Sequence, residues 1–321
     1  MGDAGSDGGD AGRFTVLVAI AANIGIMLAK GAAWLFTGSV SMMAETMHSV
    51  ADTANQGLLL YGHRRSRKDP DPAHPFGYGR ERYFWPFVYS ILIFGLGALV
   101  SLWQGVTDLL DPEPISNPFW AFVVLGASAV MDGTSLWNAR RQADKSRRGV
   151  SYWRFVQRSR DPEIPVVLLE DSAGVSGVLV AMIAVAISVT TGLHVFDAIG
   201  SLVIGLLLAG VAGVLAREMK SLLIGEPATP EDEQLIRQVV REYDEVDELV
   251  LLRTLHLGPQ ELLVDMKLRL TSSLDADAVA RLIDDMEQEI RDRVDDARII
   301  AVEPDIPQPD DPDVPDYARD P

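Results

Sequence analysis

His48-Ser-Val-Ala-Asp52 lies inside residues 40–60, an otherwise largely apolar stretch that is long enough to cross a bilayer. Glu45 adds spacings of i, i+3 and i+7, which place all three polar side chains on one face of a helix. Ionisable side chains at membrane depth cost roughly 3 kcal/mol each on insertion scales and tend to mark ion or proton pathways. Imidazole and carboxylate groups are good ligands for divalent transition metals, so the stretch predicts a metal site on a membrane helix.

A second interpretation is a buried polar trio that only joins helices by hydrogen bonds. Another pair of acids favours the metal interpretation, because residues 165–172 read Pro-Val-Val-Leu-Leu-Glu-Asp-Ser inside a later apolar stretch. Glu170 and Asp171 are adjacent, and neighbouring side chains on a helix point about 100° apart. One of them can therefore be a ligand while the other carries protons or accepts a hydrogen bond.

Charge divides the 321-residue chain into a nearly neutral part and an acidic part. The net charge is −18, and residues 217–321 hold 28 Asp and Glu against 12 Lys and Arg, which accounts for −16 of it. With 48% hydrophobic residues overall, this division predicts a membrane domain at 14–216 followed by an acidic soluble domain at 217–302. No cysteine is present, so disulfides and thiolate metal sites are excluded. The acidic soluble part does not favour a nucleic-acid partner.

Six apolar stretches are each long enough to cross about 30 Å of hydrocarbon. They cover residues 14–36, 40–61, 83–103, 118–137, 164–191 and 197–216. The connections at 62–82 and 139–162 hold six and eight Lys or Arg, whereas the other three hold none. By the positive-inside rule, the two basic connections and both termini are cytoplasmic. The sequence therefore predicts a multi-pass protein of the cell membrane, with six helices in contact with lipid.

Residues 229–302 alternate between helix and strand patterns. Thr229-Pro230 followed by three acids is a typical helix start, and residues 248–257 and 262–270 form two strands around a turn. A second amphipathic helix at 276–294 and a third strand at 297–302 complete the order αββαβ. We therefore predict an all-α membrane part with six transmembrane helices, followed by a small cytoplasmic α+β domain. Because about 75 residues make a thin core, we expect a homodimer.

Both ends of the chain have compositions typical of disorder. Residues 1–13 are rich in Gly and Asp, and residues 303–321 are rich in Asp and Pro and poor in aromatic residues. Such segments cannot bury enough apolar surface to fold. We therefore predict a disordered N-terminus and a disordered acidic tail.

Three motifs carry a resemblance to a known family. They are Glu-Thr-Met-His-Ser-Val-Ala-Asp-Thr-Ala-Asn-Gln at 45–56, His-Pro-Phe-Gly-Tyr-Gly-Arg-Glu-Arg-Tyr-Phe-Trp at 74–85, and Val-Val-Leu-Leu-Glu-Asp at 166–171. With six spans and a cytoplasmic α+β domain, the chain resembles the cation diffusion facilitators over about residues 14–302, and within them the branch that contains zinc transporter nine. The resemblance implies proton-coupled export of divalent cations by homodimers, with a metal site between the second and fifth helices.

Carried over residue by residue, the resemblance implies that His48 and Asp52 are the ligand pair of the second helix and that Asp171 is the aspartate of the fifth. The family usually has His or Asp four residues before that aspartate, and Val167 stands there in this chain. Glu45, Glu170 or water can supply the missing ligand. We favour Glu45 over Glu170, because Glu45 shares the helix face of His48 and Asp52.

One nitrogen and two or three carboxylates suit Zn²⁺, and Mn²⁺ or Fe²⁺ also accept such ligands. We therefore expect a proton-coupled efflux transporter for a divalent cation, with Zn²⁺ as the first candidate and protons as the exchanged ions. The alternative is a non-transporting membrane scaffold or partner subunit that responds to metal, which Val167 keeps open. No phosphate loop, nucleophile elbow or zincin motif indicates an enzyme.

Several other polar residues have weaker functional signals. We expect Lys30 to extend toward the external surface, because long basic side chains near span ends reach for water. Asp132 in the fourth span can relay protons or bond to neighbouring helices. For Asp71 and His74 in the first basic connection, and for His256 in the soluble domain, we favour structural roles over metal binding.

Overall fold

The structure is a computed structural model that describes residues 7–147, 149–271 and 273–305. Side chains are described from residue 21 onward, with the exception of residue 22. The chain is mostly helical and ends in a three-stranded sheet. Residues 1–6 of the predicted disordered N-terminus and residues 306–321 of the predicted acidic tail lie outside the described residues.

Long helices form the first two thirds of the chain. Their bounds are α1 (Asp7–Thr37), α2 (Val40–Ser66), α3 (Glu81–Leu92), a π-helical segment (Ile93–Leu99), α4 (Val100–Leu110), α5 (Pro118–Ser146), the short α6 (Tyr152–Arg158), α7 (Glu163–Thr191) and α8 (Val195–Ile224). Since α3, the π-helical segment and α4 run on without a break, they form one helical rod, Glu81–Leu110.

Within the described part of the chain, four of these helical rods are long and apolar enough to cross a membrane. They are Glu81–Leu110, Pro118–Ser146, Glu163–Thr191 and Val195–Ile224. They match the third to sixth predicted spans, each extended at one or both ends by one to nine residues. The first two predicted spans also fall on helices: α2 is not among the four, and the first part of α1 lies outside the described side chains. The polar residues of α2, among them Glu45, His48 and Asp52, lower its mean hydropathy.

The chain divides into two compact units. The first holds the helices up to Arg64 and from Phe84 to Met219, and the second holds Arg65–Tyr83 together with the chain from Lys220 onward. The connection that follows α2 in sequence therefore belongs to the same unit as the sheet. Within that unit, Gly79 lies against Leu257 and Glu261, at the turn between the first two strands.

The second unit contains α9 (Pro230–Arg241), β1 (Val246–Gly258), β2 (Glu261–Leu270), α10 (Ala276–Arg293) and β3 (Ala297–Asp305). The predicted order of helices and strands is confirmed. β2 is central, antiparallel to β1 and parallel to β3. The core is made of apolar side chains from both helices and from β2, chiefly Ile236, Val239, Val264, Met266, Leu268, Met286 and Ile290.

Helix caps set the element boundaries in this unit. Thr229 accepts a hydrogen bond from the backbone of Asp232, at the helix start that the sequence predicts, and Asp275 accepts one from the backbone of Ala278, so an N-cap residue precedes each helix. The third strand is longer than predicted. It pairs with β2 as far as Asp305, three residues into the predicted disordered tail, because backbone pairing does not require apolar side chains. Helix α1 likewise begins at Asp7 and not after residue 13.

The connection at Arg65–Tyr83 is organised around one aspartate. Asp71 accepts hydrogen bonds from Lys68 Nζ at 2.7 Å, Tyr78 Oη at 2.8 Å and the backbone of His74 at 2.9 Å. The hydrogen bond from Lys68, with that from Tyr78, holds the pKa of the Asp71 carboxyl below its usual range. These bonds give Asp71 the structural role that the sequence favours.

Candidate metal site

Helix α2 turns its ionisable face toward the inside of the first unit. Glu45 is 0% exposed and His48 is 2% exposed, while the Asp52 side chain retains 25% exposure. Asn55, one turn beyond Asp52, is also buried. Three of these four polar side chains are thus almost fully removed from solvent, which is costly unless they are paired or bind a ligand.

The start of α2 is fixed by an acid from another helix. Asp197, near the beginning of α8, accepts hydrogen bonds from the backbone of Val40 at 2.7 Å and of Ser41 at 3.4 Å, and from Ser39 Oγ at 2.9 Å. Asp197 therefore caps the first backbone N–H groups of α2 alongside Ser39, whose Oγ accepts a hydrogen bond from the backbone of Met42 at 3.3 Å. Because it caps the first turn, Asp197 also sets the depth and rotation of the face that carries His48.

Helix α7 faces α2 with one acid and two glycines. Glu170, Gly174 and Gly177 recur at i, i+4 and i+7, which places them on one face of α7. A Cβ atom on Gly174 would lie 3.2 Å from His48 Nε2, and one on Gly177 would collide with Glu45 Oε1. The two glycines thus leave room for the imidazole and the carboxylate, a function beyond the helix packing that their sequence pattern predicts.

Glu170 lies beside Asp52 and Asn55, toward the C-terminal end of the polar face of α2. Its Oε2 accepts a short hydrogen bond from Asn55 Nδ2 of α2. Its carboxyl group also interacts with that of Asp52, and the Tyr89 hydroxyl lies 3.4 Å from Asp52 Oδ1. Of the two adjacent acids, Glu170 is therefore the one that meets α2.

Asp171 points toward a different helix. Its Oδ2 accepts a hydrogen bond from Ser135 Oγ of α5 at 2.8 Å. Val167, one turn earlier on the same face, packs against an apolar cluster that contains residues of α5 and α6. The position at which the family usually carries its other fifth-helix ligand thus faces α5, and the structure does not bring Asp171 beside His48 and Asp52.

Glu45 is paired with a lysine. Lys30 Nζ of α1 donates to Glu45 Oε2 at 3.0 Å and lies 3.7 Å from Asp132 Oδ2 of α5. Lys30 is 1% exposed, so the expectation that it reaches the external surface is wrong. Pairing with two acids inside the helix assembly replaces contact with water as the way to stabilise its charge. The same contact gives Asp132 a partner on a neighbouring helix, one of its two predicted roles.

His48, on the polar face of α2, has the fewest hydrogen bonds of the buried polar side chains there. Its Nδ1 lies 3.4 Å from Asp52 Oδ1, but within the described part of the chain neither ring nitrogen has a hydrogen-bond partner of good geometry. A buried imidazole without partners is unusual, since buried polar groups are nearly always hydrogen-bonded. Unpaired nitrogen atoms in a site rich in carboxylates are the donor set that a divalent cation requires.

The five predicted ligands do not converge on one point as they stand. Among the described residues, no group of three or more His, Asp or Glu side chains is arranged to hold a metal ion. Glu45 is held by Lys30, Glu170 by Asn55 and Asp171 by Ser135, while His48 and Asp52 face each other. Coordination by more than two of them requires side-chain rotation.

Sequence reasoning missed the residues that hold the predicted ligands in place. Lys30, Asn55, Tyr89 and Ser135 each contact one of the five predicted residues. A signal existed for Asn55, which lies seven residues after His48 and therefore on the same helix face. The other three belong to helices whose rotation a single sequence does not reveal.

Comparison with known proteins identifies the fold of the membrane part. Residues 16–224 match the family described as the cation efflux transmembrane domain. The chain belongs to the cation efflux family. This confirms the resemblance to the cation diffusion facilitators, and the relatives named below are transporters and not enzymes.

The mitochondrial proton-coupled zinc antiporter SLC30A9 of Homo sapiens is 38% identical over 227 residues, which cover 70% of this chain and 40% of that protein. Metal tolerance protein C4 of Arabidopsis thaliana is 35% identical over 246 residues, 76% of this chain and 54% of its own length. The cation-efflux pump FieF of Cronobacter sakazakii is 29% identical and is covered over 90% of its length. The chain thus spans about two fifths of the length of the human relative, about half of that of the Arabidopsis thaliana relative and most of the bacterial pump.

Proposed function

We propose that this protein transports divalent metal cations across a membrane in exchange for protons. The observation that carries the proposal is the pair of buried His48 and partly exposed Asp52: the imidazole nitrogens of His48 lack hydrogen-bond partners among the described residues, and its Nε2 faces Gly174 of α7. Ionisable side chains at such positions mark ion pathways in membrane proteins. The names of the relatives from Homo sapiens and Cronobacter sakazakii, an antiporter and an efflux pump, support the same function.

Zn²⁺ is the transported ion that we propose first. The available ligands are one imidazole and several carboxylates, a set that zinc accepts in tetrahedral sites. Mn²⁺ and Fe²⁺ accept the same ligands and are the alternatives. A zinc antiporter among the relatives favours Zn²⁺. We infer that His48, Asp52 and Glu170 form the centre of the site and that Glu45 and Asp171 compete for the remaining coordination position.

Proton exchange follows from the chemistry of the ligands. Imidazole and carboxylate groups bind a metal ion only when they are deprotonated, so metal release and proton uptake are linked. We propose that protons taken up at the ligand groups replace the metal ion on the release side.

The remaining features of the proposal concern the assembly. We propose six membrane spans, with α1 and α2 as the first two, both termini on the cytoplasmic side and the protein in the cell membrane in contact with lipid. The basic connections support this orientation. We also propose a homodimer, because the small C-terminal domain gains stability from pairing with a copy of itself.

Flux of Zn²⁺ into proteoliposomes tests the proposal. The purified chain is reconstituted with a zinc-sensitive dye inside, and uptake is compared for Zn²⁺, Mn²⁺ and Fe²⁺ with and without an outward proton gradient. We expect zinc uptake that accelerates with the gradient and is accompanied by proton movement in the opposite direction. Uptake no faster than in protein-free vesicles for all three ions would refute transport.

Glu170 is expected to contribute more to metal binding than Glu45. Glu170→Gln removes a carboxylate that already lies beside Asp52, whereas Glu45 must leave Lys30 before it can bind. We expect Zn²⁺ affinity to fall about 10- to 100-fold in Glu170→Gln and less in Glu45→Gln, on the scale seen when groups at a metal site are altered. Calorimetry on the purified variants measures both, and the reverse order would assign the larger role to Glu45.

The alternative of a non-transporting scaffold has no observation in its favour. Val167 suggested it, because the family usually has a ligand there. In the structure Val167 packs into the apolar cluster with α5 and α6. An apolar side chain there leaves His48, Asp52 and Glu170 in place, so it is no argument against metal binding by these residues.

A further inference from the structure

A basic side chain lies among the buried acids, at a place where its desolvation is expensive. Lys30 is 1% exposed, and its ammonium group lies 3.0 Å from Glu45 Oε2 and 3.7 Å from Asp132 Oδ2. Burying an ammonium ion costs several kcal/mol that its partners only partly offset. Helices α1, α2 and α5 could be joined at lower cost by small or neutral polar residues. The charge itself therefore calls for a functional explanation.

The ammonium group occupies only one side of Glu45. Oε2 accepts its hydrogen bond, whereas Oε1 has no hydrogen-bond partner within the described ranges and lies against Gly177 of α7. His48 lies on the next turn of the same helix face. Glu45 is thus placed between a protein cation on one side and the predicted ligands of the metal ion on the other.

Asp132 gives the ammonium group a second position. Its Oδ2 is already within 3.7 Å of Lys30 Nζ and is otherwise without a hydrogen bond in the described part of the chain. A small movement of the flexible lysine side chain can therefore exchange one carboxylate for the other. The cation remains paired in both positions, so the exchange does not leave a buried charge alone.

We propose that Lys30 is a tethered cation that competes with the transported metal ion for Glu45. The proposal rests on the proposed function, in which Glu45 can complete the site of His48, Asp52 and Glu170. Glu45 binds the metal ion when the ammonium group moves to Asp132, and the metal ion loses that ligand when the ammonium group returns. Lys30 thereby lowers the affinity of the site and favours release, as a transport site requires.

Zinc calorimetry on the purified full chain, at one mildly alkaline pH, tests the competition. Lys30→Gln keeps a hydrogen-bond donor for Glu45 but removes the charge. We expect it to bind Zn²⁺ about tenfold more tightly than the wild type, within the 5- to 150-fold range typical of coupled binding events. Lys30→Arg is the matched variant that keeps the charge, and it should not show this gain. Weaker or unchanged zinc binding in Lys30→Gln would overturn the proposal.

The same substitution in a Glu45→Gln background separates competition from simple repulsion. If Lys30 competes for Glu45, its replacement gains nothing once the carboxylate is absent, and the two substitutions are strongly non-additive. If Lys30 only repels the dication through its charge, Lys30→Gln tightens binding equally in both backgrounds. Equal gains would therefore refute competition for Glu45.

Asp132→Asn provides a second test that does not depend on the folding of Lys30→Gln. It removes the alternative position of the ammonium group, so we expect about tenfold weaker zinc binding, on the same coupling scale, and no such loss in the Lys30→Gln background. A loss of equal size in both backgrounds contradicts the exchange. Asp52→Ala distinguishes this failure from failure of the proposed function. If zinc binding survives Asp52→Ala, the site itself is misassigned, and if it is lost, only the role of Lys30 is in question.

Discussion

Replacing Asp52 with alanine is expected to reduce zinc flux at least about 100-fold, to near the level of protein-free vesicles. Asp52 combines a carboxylate 3.4 Å from the His48 ring with partial exposure, so among the proposed ligands it is the one best placed to meet an incoming ion. Even groups that only support a metal ligand typically change affinity or activity 10- to 100-fold when removed. Removal of a proposed direct ligand should reduce affinity or activity by at least the same factor.

The substitution should leave folding largely intact. Among the described residues, Asp52 accepts a long contact from Tyr89 and lies beside His48 and Glu170, so its removal takes one acid from a crowded group and costs the Tyr89 hydroxyl only a 3.4 Å contact. Thr53→Ala is the matched control, because Thr53 is the next residue on α2 and its hydroxyl bonds only to the carbonyl of Ser49 in the same helix. Flux in Thr53→Ala should remain near that of the wild type. Undiminished zinc flux in folded Asp52→Ala would exclude the proposed site.

The C-terminal domain shows what a single sequence can predict well. Its elements are defined by local signals, namely the caps at Thr229 and Asp275 and the apolar alternation along β2. Such signals act within a few residues and do not depend on distant parts of the chain. The order of helices and strands was therefore predictable, while the end of β3 was not, because pairing with β2 extends the strand to Asp305 through backbone hydrogen bonds alone.

The membrane part shows where this kind of prediction ends. Periodicity correctly placed Glu45 and His48 on one buried face of α2, because helical spacing alone determines that relation. It could not determine which of Glu170 and Asp171 faces α2, since the rotation of α7 depends on packing with α2 and α5. The glycines at 174 and 177 contained that information. Small residues mark the side of close approach: Gly174 lies one turn after both acids, but Gly177 is at i+7 from Glu170 and at i+6 from Asp171, so the two glycines together share a face with Glu170.

Lys30 was misjudged for a similar reason. A lysine near the end of an apolar stretch is expected to reach for water, and one sequence gives no sign that two acids from other helices offer a better partner. The contact with Glu45 joins residues 15 positions apart, and that with Asp132 joins α1 to α5. Partners at such separations follow from the assembled bundle and not from local pattern.

The second large effect is expected at Asp197. Replacement by alanine removes the acceptor for the backbone of Val40 and Ser41 and for the Ser39 hydroxyl, all of which are buried at the start of α2. A helix cap contributes about 1 kcal/mol and a hydrogen bond to a charged group about 1.5–3 kcal/mol, and these contributions overlap. We expect Asp197→Ala to lower the free energy of unfolding by about 3 kcal/mol, measured by reversible unfolding in mixed micelles.

The loss of the Asp197 hydrogen bonds should also affect the proposed metal site, because the first turn of α2 influences which side of the helix lies against α7. We expect Asp197→Ala to weaken zinc binding although no ligand is changed, whereas Asp197→Asn, which keeps one acceptor oxygen, should fall between alanine and the wild type on both measurements. Asp111→Ala is the control, since Asp111 is an exposed acid beyond the end of α4. An Asp197→Ala protein as stable as the wild type would mean that the Ser39 cap and the apolar contacts suffice to hold the start of α2, and that Asp197 has no part in positioning His48.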